Sequence, residues 1–182
     1  LIAPWNYPIQ LVLRPLTYII AAGNCCIIKP SELSPNCAKL VEELVTEYLD
    51  PSVCRVVQGA VPETTALLKL RYDHIVYTGN GAVAQIVMEA AAKHLTPTTL
   101  ELGGKSPVII DETADIKKAA TQVAWGKWGN AGQTCIAPDY VIVHSSVKER
   151  FLSESKLLLR KAFGDKPETS GGWGKIIHPR HV

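Results

Sequence analysis

The chain has 182 residues, of which 47% are hydrophobic and 20% are charged, a composition typical of a soluble globular domain. Its formal net charge of +2 is small and its Lys and Arg residues form no basic stripe, so nucleic-acid binding is not expected. Its five cysteines, an odd number without CxxC spacing, argue against a disulfide framework or a zinc site and favour a reducing compartment.

The first apolar stretch, residues 9–28, is about as long as a membrane span. Arg14, Pro15, Gly23 and Asn24 interrupt it, however. We therefore interpret it as a buried helix, a turn and a buried strand.

The rest of the chain alternates short apolar runs with segments of helical periodicity. Leu40, Val41, Leu44 and Val45, for example, recur at the spacing of one helix face. Strands that alternate with helices predict an α/β fold with a parallel sheet. Strands are expected at 25–30, 54–59, 74–79, 98–102, 106–111 and 140–144, and helices at 35–49, 62–70, 82–95, 115–127 and 147–162.

The sequence YTGNGA (77–82) places two glycines between a predicted strand and a predicted helix. Backbone N–H groups and the positive end of the dipole make such a helix start a favourable place for a phosphate. A glycine-rich turn is more often only a turn, however. The usual dinucleotide-binding fingerprint also has a third glycine, whereas Ala84 and Gln85 follow here.

The sequence KPSE (29–32) lies at the carboxyl end of a predicted parallel strand, the edge at which open α/β sheets bind ligands. Glu32, three residues after Lys29, could hold a ribose diol through hydrogen bonds. Alternatively, the segment only begins the next helix, with Ser31 or Ser34 as its cap and Glu32 favoured by the dipole. Taken alone, the motif favours this second interpretation.

Cys135 lies in the glycine-rich segment GNAGQTCIAPDY (129–140). Small neighbours let a substrate and backbone N–H groups approach a thiol, and a thiolate is a strong nucleophile. A buried structural cysteine is the commoner case. The other cysteines fit that case, because they lie in or beside predicted strands and a helix; they are Cys25, Cys26, Cys37 and Cys54.

The sequence LELGGKSP (100–107) places Glu101 at the end of a strand, just before Gly103 and Gly104. A carboxylate in this position can act as a base on a water or a thiol, and the glycines leave room for a ligand. The alternative is a strand-end charge that faces solvent.

Five segments occur along the chain: PWNYP (4–8), KPSE (29–32), TGN (78–80), LELGGKSP (100–107) and GQTCIAPDY (132–140). In order and spacing they resemble the aldehyde dehydrogenase superfamily. The sequences MEAAAKHLTP and CIAPDY look most like its class 3 branch, which includes fatty aldehyde dehydrogenases. The resemblance covers essentially the whole chain. It implies part of a Rossmann-like dinucleotide-binding domain at 1–101, followed by the N-terminal part of an α/β catalytic domain at 102–182.

The resemblance implies a reaction in which an aldehyde, NAD(P)+ and water give a carboxylic acid and NAD(P)H through a thiohemiacetal and a thioester. Cys135 would be the nucleophile and Glu101 the general base. Asn6 would hold the oxyanion together with the N–H of Cys135. Relatives that form acyl-CoA or acyl phosphate commonly lack the base, so Glu101 argues against them. Lys105 is assigned no chemical step.

The resemblance also implies a cofactor site and no metal. Lys29 and Glu32 would bind the adenosine ribose, and Gly79 and Asn80 would lie near the pyrophosphate. NAD is the expected cofactor, with NADP as a tolerated alternative. Class 3 relatives usually read Gly-Asn-Thr-Ala-Val-Gly-Lys at 79–85, where this chain reads GNGAVAQ. The added methyl group of Ala84 brings cofactor affinity into question.

Family members extend well beyond both ends of this chain, which is therefore expected to be a fragment. We expect the fragment alone to be inactive, because most of the substrate funnel and the dimerising strand would be absent. A truncated product without activity is thus the alternative to an enzyme. The parent is expected to be a cytoplasmic homodimer that acts on a small-molecule aldehyde, and the resemblance leaves open a membrane anchor that is not visible here.

Overall fold

Strands and helices alternate through both units of the chain. The computed structural model describes residues 1–181, and the chain divides into Leu1–Leu102 and Gly103–Val182, one residue after the boundary expected from the sequence. The first unit contains α1 (Gln10–Ala21), β1 (Cys26–Ile28), α2 (Pro35–Tyr48), β2 (Cys54–Val56), α3 (Val61–Leu67), β3 (Ile75–Thr78), α4 (Gly81–Ala92) and β4 (Thr98–Glu101). The second contains β5 (Ser106–Ile110), α5 (Ile116–Trp128), β6 (Pro138–Val143) and α6 (Lys148–Phe163).

The strands of the first unit are parallel, as the alternation of elements predicts. β1 pairs with β2, and β3 pairs with β4. Ile2 joins the two pairs, because it bridges in parallel to Lys29 on one side and to Tyr77 on the other. Its N–H donates to the carbonyl of Val76 at 2.8 Å, and the N–H of Ala3 donates to the carbonyl of Lys29 at 3.0 Å. The carboxyl ends of these strands therefore lie along one edge.

Two apolar clusters hold helices against this sheet. Val12 of α1 and Val41 of α2 are fully buried beside Ile28 of β1, where each contributes on the order of 1.5–3 kcal/mol. On α4, the small side chains of Ala84 and Ala91 contact β3, which allows the helix to approach the strand closely. The periodicity that predicted α2 matches its buried face only in part, because Val41 and Val45 are buried whereas Leu40 is 45% exposed.

The second unit has a parallel pair of its own. β5 and β6 pair from Ser106 to Ile110, with a register shift between Ser106 and Pro107. The buried residues Ile110, Ile116 and Phe151 bring α5 and α6 against this pair. The N-cap of α5 is Asp115, whose side chain accepts a hydrogen bond from the N–H of Lys118 at 3.2 Å.

The predicted α/β fold is confirmed, although several elements end earlier than expected. β1 ends before Pro30, which has no N–H to donate to a strand ladder. β2 ends before Gly59, whose φ of +127° is outside the extended range. Residues 9–28 form α1, a turn at Gly23 with φ of +78°, and β1. The expectation of a buried helix is wrong, because only Val12 and Leu16 of α1 are buried and Tyr18 is 65% exposed. Nowhere in residues 1–181 does a helix have the length and hydropathy needed to span a bilayer.

Candidate active site

The carboxyl edge of the first unit's sheet carries most of the residues singled out in the sequence. Lys29 directly follows β1, Gly79 directly follows β3, and Glu101 ends β4. The N–H of Gly79 donates to the carbonyl of Glu101 at 3.0 Å, so the two segments adjoin. Asn6 follows the short stretch that joins the two strand pairs. This is the edge at which parallel α/β sheets bind ligands.

Lys29 and Glu32 form an ion pair at this edge. The Lys29 side chain is 4% exposed, and its ammonium donates to Glu32 Oε2 at 3.2 Å and to the carbonyls of Gly59, at 2.7 Å, and Pro30. A buried ammonium requires such partners. Glu32 is 42% exposed, so its carboxylate can also reach a ligand.

The simpler interpretation of this segment, a capped helix start, is only partly right. Ser34 does occupy the N-cap position of α2, but its side chain makes no capping hydrogen bond. Its hydroxyl instead donates to the carbonyl of Ser31 at 3.3 Å. Glu32 is paired with Lys29, so its position reflects that ion pair more than the helix dipole.

The start of α4 has the features of a phosphate site. Asn80 is its N-cap, and the Asn80 side chain accepts from the N–H of Val83 at 2.9 Å. A Cβ on Gly79 would overlap the hydroxyl of Tyr77, which donates to the carbonyl of Asn80 at 3.3 Å. The space around Gly81 is open. A small anion could therefore approach the first N–H groups of this 12-residue helix.

The departure from the class 3 pattern at Ala84 lies where α4 packs against β3. Ala84 is 2% exposed and belongs to the cluster that contacts β3. Its methyl group therefore fills space in the core. The next residue, Gln85, is exposed.

The side chains of Glu101 and Asn6 are accessible to different degrees. Glu101 is exposed at the strand end, whereas Asn6 is half-buried. The Asn6 side-chain oxygen accepts a hydrogen bond from the N–H of Tyr7 at 3.1 Å. Its amide NH₂ is the group that an oxyanion would require.

Cys135 lies on a strained loop of the second unit. Asn130 and Ala131, both with φ of 53°, and Gly132, with φ of 74°, take left-handed conformations that bend the chain sharply. A turn follows, in which the N–H of Ala137 donates to the carbonyl of Thr134 at 3.1 Å. The thiol of Cys135 is exposed at this turn, and within the described part of the chain its N–H has no hydrogen-bond acceptor.

Gln133 fixes this loop, a role that the sequence analysis missed. Its Nε2 donates to the carbonyl of Asn130 at 3.0 Å, and its Oε1 accepts from the N–H of Ile177 at 2.9 Å. Nε2 also donates to the carbonyl of Lys175 at 3.3 Å, so the bonds to Lys175 and Ile177 tie the loop to a segment more than 40 residues away. The sequence around Gln133 does not indicate that its partners lie at Lys175 and Ile177. The one available signal was a side-chain amide between small residues, which can hydrogen-bond to the backbone.

The glycines of LELGGKSP do not have equivalent surroundings. A Cβ on Gly104 would overlap the backbone carbonyl oxygen of Cys135, whereas a Cβ on Gly103 would meet nothing within 4 Å. Gly104 therefore lets its own backbone approach that of Cys135. The neighbouring Lys105 forms an ion pair with Asp139 at 3.3 Å.

Replacing Gly104 by alanine should displace the backbone at Cys135, at a cost of about 1–3 kcal/mol in the free energy of unfolding, and should lower turnover. Gly103→Ala is the matched control, because neither glycine has a left-handed φ and only the space for the Cβ differs. Denaturant unfolding and steady-state rates of the complete protein that carries this chain measure both effects. Equal losses in the two variants would contradict the assigned contact.

The four remaining cysteines were expected to be buried, but only two of them are. Cys26 and Cys54 are buried partners in the β1–β2 register, and burial raises the pKa of both thiols. Cys37 is only half-buried, because it lies on an outer part of α2. Cys25 is exposed, because it precedes β1 and belongs to the turn after α1. Exposure alone therefore does not single out Cys135.

The chain matches known proteins over its whole length. The model of the aldehyde dehydrogenase family matches residues 1–182. Aldehyde dehydrogenase family 3 member A2 of Mus musculus is 52% identical over 181 residues, which are 100% of this chain and 37% of that relative. The dimeric NADP-preferring aldehyde dehydrogenase of Canis lupus familiaris is 48% identical over 181 residues, which are 100% of this chain and 40% of that relative.

Solved structures match equally broadly. The substrate-bound state of Staphylococcus aureus AldH superimposes with a TM-score of 0.89 at 47% identity, over 99% of this chain and 39% of that chain. PnpE in complex with nicotinamide adenine dinucleotide superimposes with a TM-score of 0.87 at 33% identity, over 97% of this chain and 37% of that chain. The chain thus spans less than half the length of the proteins it matches. The resemblance inferred from the five motifs is confirmed, and the chain belongs to the aldehyde dehydrogenase family.

Proposed function

We propose that the complete protein oxidises aldehydes to carboxylic acids with NAD+, with Cys135 as the nucleophile and Glu101 as the general base. The observation that carries the proposal is the Cys135 turn, where an exposed thiol and a backbone N–H with no acceptor among residues 1–181 belong to the same residue. Acyl transfer through a thiol needs both groups at the reacting carbonyl. Formation of NADH by the purified complete protein when an aldehyde is added tests the activity, and no NADH with short or long aldehydes would contradict it.

The Cys135 thiolate attacks the aldehyde carbon, and the carbonyl π electrons move onto oxygen. The N–H of Cys135 and the Asn6 amide then stabilise this oxyanion, and one such donor is typically worth about 3–4 kcal/mol of the barrier. When the oxyanion collapses and a hydride leaves the carbon, Cys135 holds a thioester. Glu101 removes a proton from a water that attacks the thioester, and the carboxylic acid and the thiolate are released.

The donor set on the first unit fits NAD, which when bound supplies the acceptor for the hydride. Glu32 can accept hydrogen bonds from the two ribose hydroxyls, and Lys29 holds its carboxylate in place. The first N–H groups of α4, with Gly79 and Asn80 before them, can accept the pyrophosphate. We accordingly propose residues 1–101 as part of the cofactor domain and 102–182 as the start of the catalytic domain.

Glu32 should favour NAD over NADP, because its carboxylate binds the ribose hydroxyls and repels a 2′-phosphate. Glu32→Gln should therefore weaken NAD binding and lower the preference for NAD by about tenfold. Dissociation constants for both dinucleotides, measured with wild type and variant, provide the check. A ratio that Glu32→Gln leaves unchanged would remove Glu32 from the ribose site. The relative from Canis lupus familiaris is named NADP-preferring, so this measurement is informative in either direction.

The complete protein is also proposed to be a homodimer located in the cytoplasm. That relative is named as dimeric, which supports a homodimer here. The substrate is a small-molecule aldehyde, and the cysteine content favours a cytoplasmic protein. A sizing column and cell fractionation of the complete protein test the two statements.

A further inference from the structure

Glu63, which no motif in the sequence identifies, lies next to the Lys29–Glu32 pair. It belongs to the first turn of α3, and its Oε2 accepts a hydrogen bond from the N–H of Ala60 at 2.8 Å. Its carboxylate also covers Gly59 so closely that a Cβ there would overlap it. Glu63 thus holds the 59–60 backbone from one side.

The carbonyl of Gly59, in the same backbone segment, accepts a hydrogen bond from Lys29. Lys29 Nζ donates to it at 2.7 Å, and its other partners are the carbonyl of Pro30 and the carboxylate of Glu32. An ammonium has three N–H donors, so these three acceptors use all of them. Lys29 therefore has no donor for a further anion unless it gives up one of these partners.

The charges around Lys29 do not balance. Glu32 pairs with the Lys29 ammonium and Glu63 lies against Gly59, whose carbonyl accepts from that ammonium, so these three side chains carry one negative charge in excess. The N–H of Ala60 lowers the pKa of Glu63, and the charge of Lys29 lowers it further, so Glu63 is ionised at neutral pH. An anion brought to the Lys29–Glu32 pair would therefore meet a surplus of negative charge.

We propose that Glu63 is a further specificity-determining residue, whose carboxylate acts beside Glu32 against a 2′-phosphate on the adenosine ribose. The inference rests on the proposed function, because it requires the ribose to bind at Lys29 and Glu32. Glu63 contributes in two ways. Its charge repels the phosphate, and its bond to the 59–60 backbone keeps the Gly59 carbonyl on Lys29 and the ammonium occupied.

The test is equilibrium binding of NAD and NADP to the complete protein, by calorimetry. Glu63→Gln keeps an oxygen that can accept from the N–H of Ala60 and removes only the charge. We expect NADP to bind about 3- to 10-fold more tightly and NAD to change less than about twofold. The gain should shrink at high ionic strength, because screening weakens the repulsion that is removed.

Two further variants separate charge from shape. Glu43→Gln removes a carboxylate that is also exposed and pairs with Lys39 on α2, and it should change neither affinity. Glu63→Asp keeps the charge and should keep the wild-type ratio. A ratio that Glu63→Gln leaves unchanged while Glu32→Gln shifts it would overturn the inference and leave the proposed function intact. A wild-type protein that binds neither dinucleotide would overturn both.

Discussion

Replacing Cys135 by alanine is expected to lower aldehyde oxidation by a factor on the order of 10⁶, which is loss to the background rate. Without the thiolate no thiohemiacetal forms, and the other exposed cysteine, Cys25, lies in the first unit before β1, away from the Cys135 turn in the sequence. Cofactor binding should persist, because the Lys29–Glu32 pair belongs to the first unit. Rates are followed as NADH formation, and dinucleotide binding by calorimetry.

The other cysteines supply the controls. Cys25→Ser should have little effect on rate or stability, because Cys25 is exposed before β1. Cys26→Ser and Cys54→Ser should keep the rate but lower the free energy of unfolding by about 1–3 kcal/mol, since each buries a hydroxyl in an apolar cluster. Turnover by the Cys135→Ala protein above background would show that the nucleophile lies elsewhere.

Replacing Glu101 by glutamine is expected to slow turnover by about 10²–10⁴-fold. The amide has the shape of the carboxylate but cannot take a proton from water, so hydrolysis of the thioester should slow most. The first turnover should still produce NADH, because acylation of Cys135 comes before the step that needs the base. Stopped-flow absorbance should therefore show a burst close to one NADH per site, followed by a slow phase.

Glu89→Gln on α4 is the matched control for this carboxylate. Glu89 is also exposed, and its loss should leave both the burst and the steady rate unchanged. A Glu101→Gln protein that turns over at the wild-type rate would remove Glu101 from the base role. A lost burst would place its action before acylation.

Most helices and strands could be predicted from the sequence, because the spacing of apolar residues within an element depends on which of its faces is buried. Val41 and Val45 recur at helical spacing and are buried in α2. Ile28 belongs to an apolar run and is fully buried in β1. The joining role of Ile2 could not be predicted, because a short segment that pairs with two strands at once has no periodicity of its own.

In the candidate site, too, local features could be predicted and long-range contacts could not. The order of motifs identified Lys29, Glu32 and Cys135, since each belongs to a short segment with a recognisable composition. The contact of Gly104 with the Cys135 backbone, and the position of Glu63 over Gly59, depend on residues distant in sequence or on side-chain conformation. The spacing of residue types along the sequence does not reveal such contacts. The exposure of Cys25 was missed because the start of β1 was predicted one residue early.

Mass spectrometry of the acyl-enzyme is the measurement that tests the central claim most directly. The Glu101→Gln protein is mixed with NAD+ and an aldehyde, quenched in acid, digested and compared with a sample that lacks NAD+. If Cys135 is the nucleophile, the acyl group will be found on the peptide that contains Cys135, and only when NAD+ is present. Its mass will be that of the aldehyde minus one hydrogen, and it will replace the thiol proton. An acyl group on another residue, or turnover in the wild type without any acylated Cys135 in the variant, would contradict it.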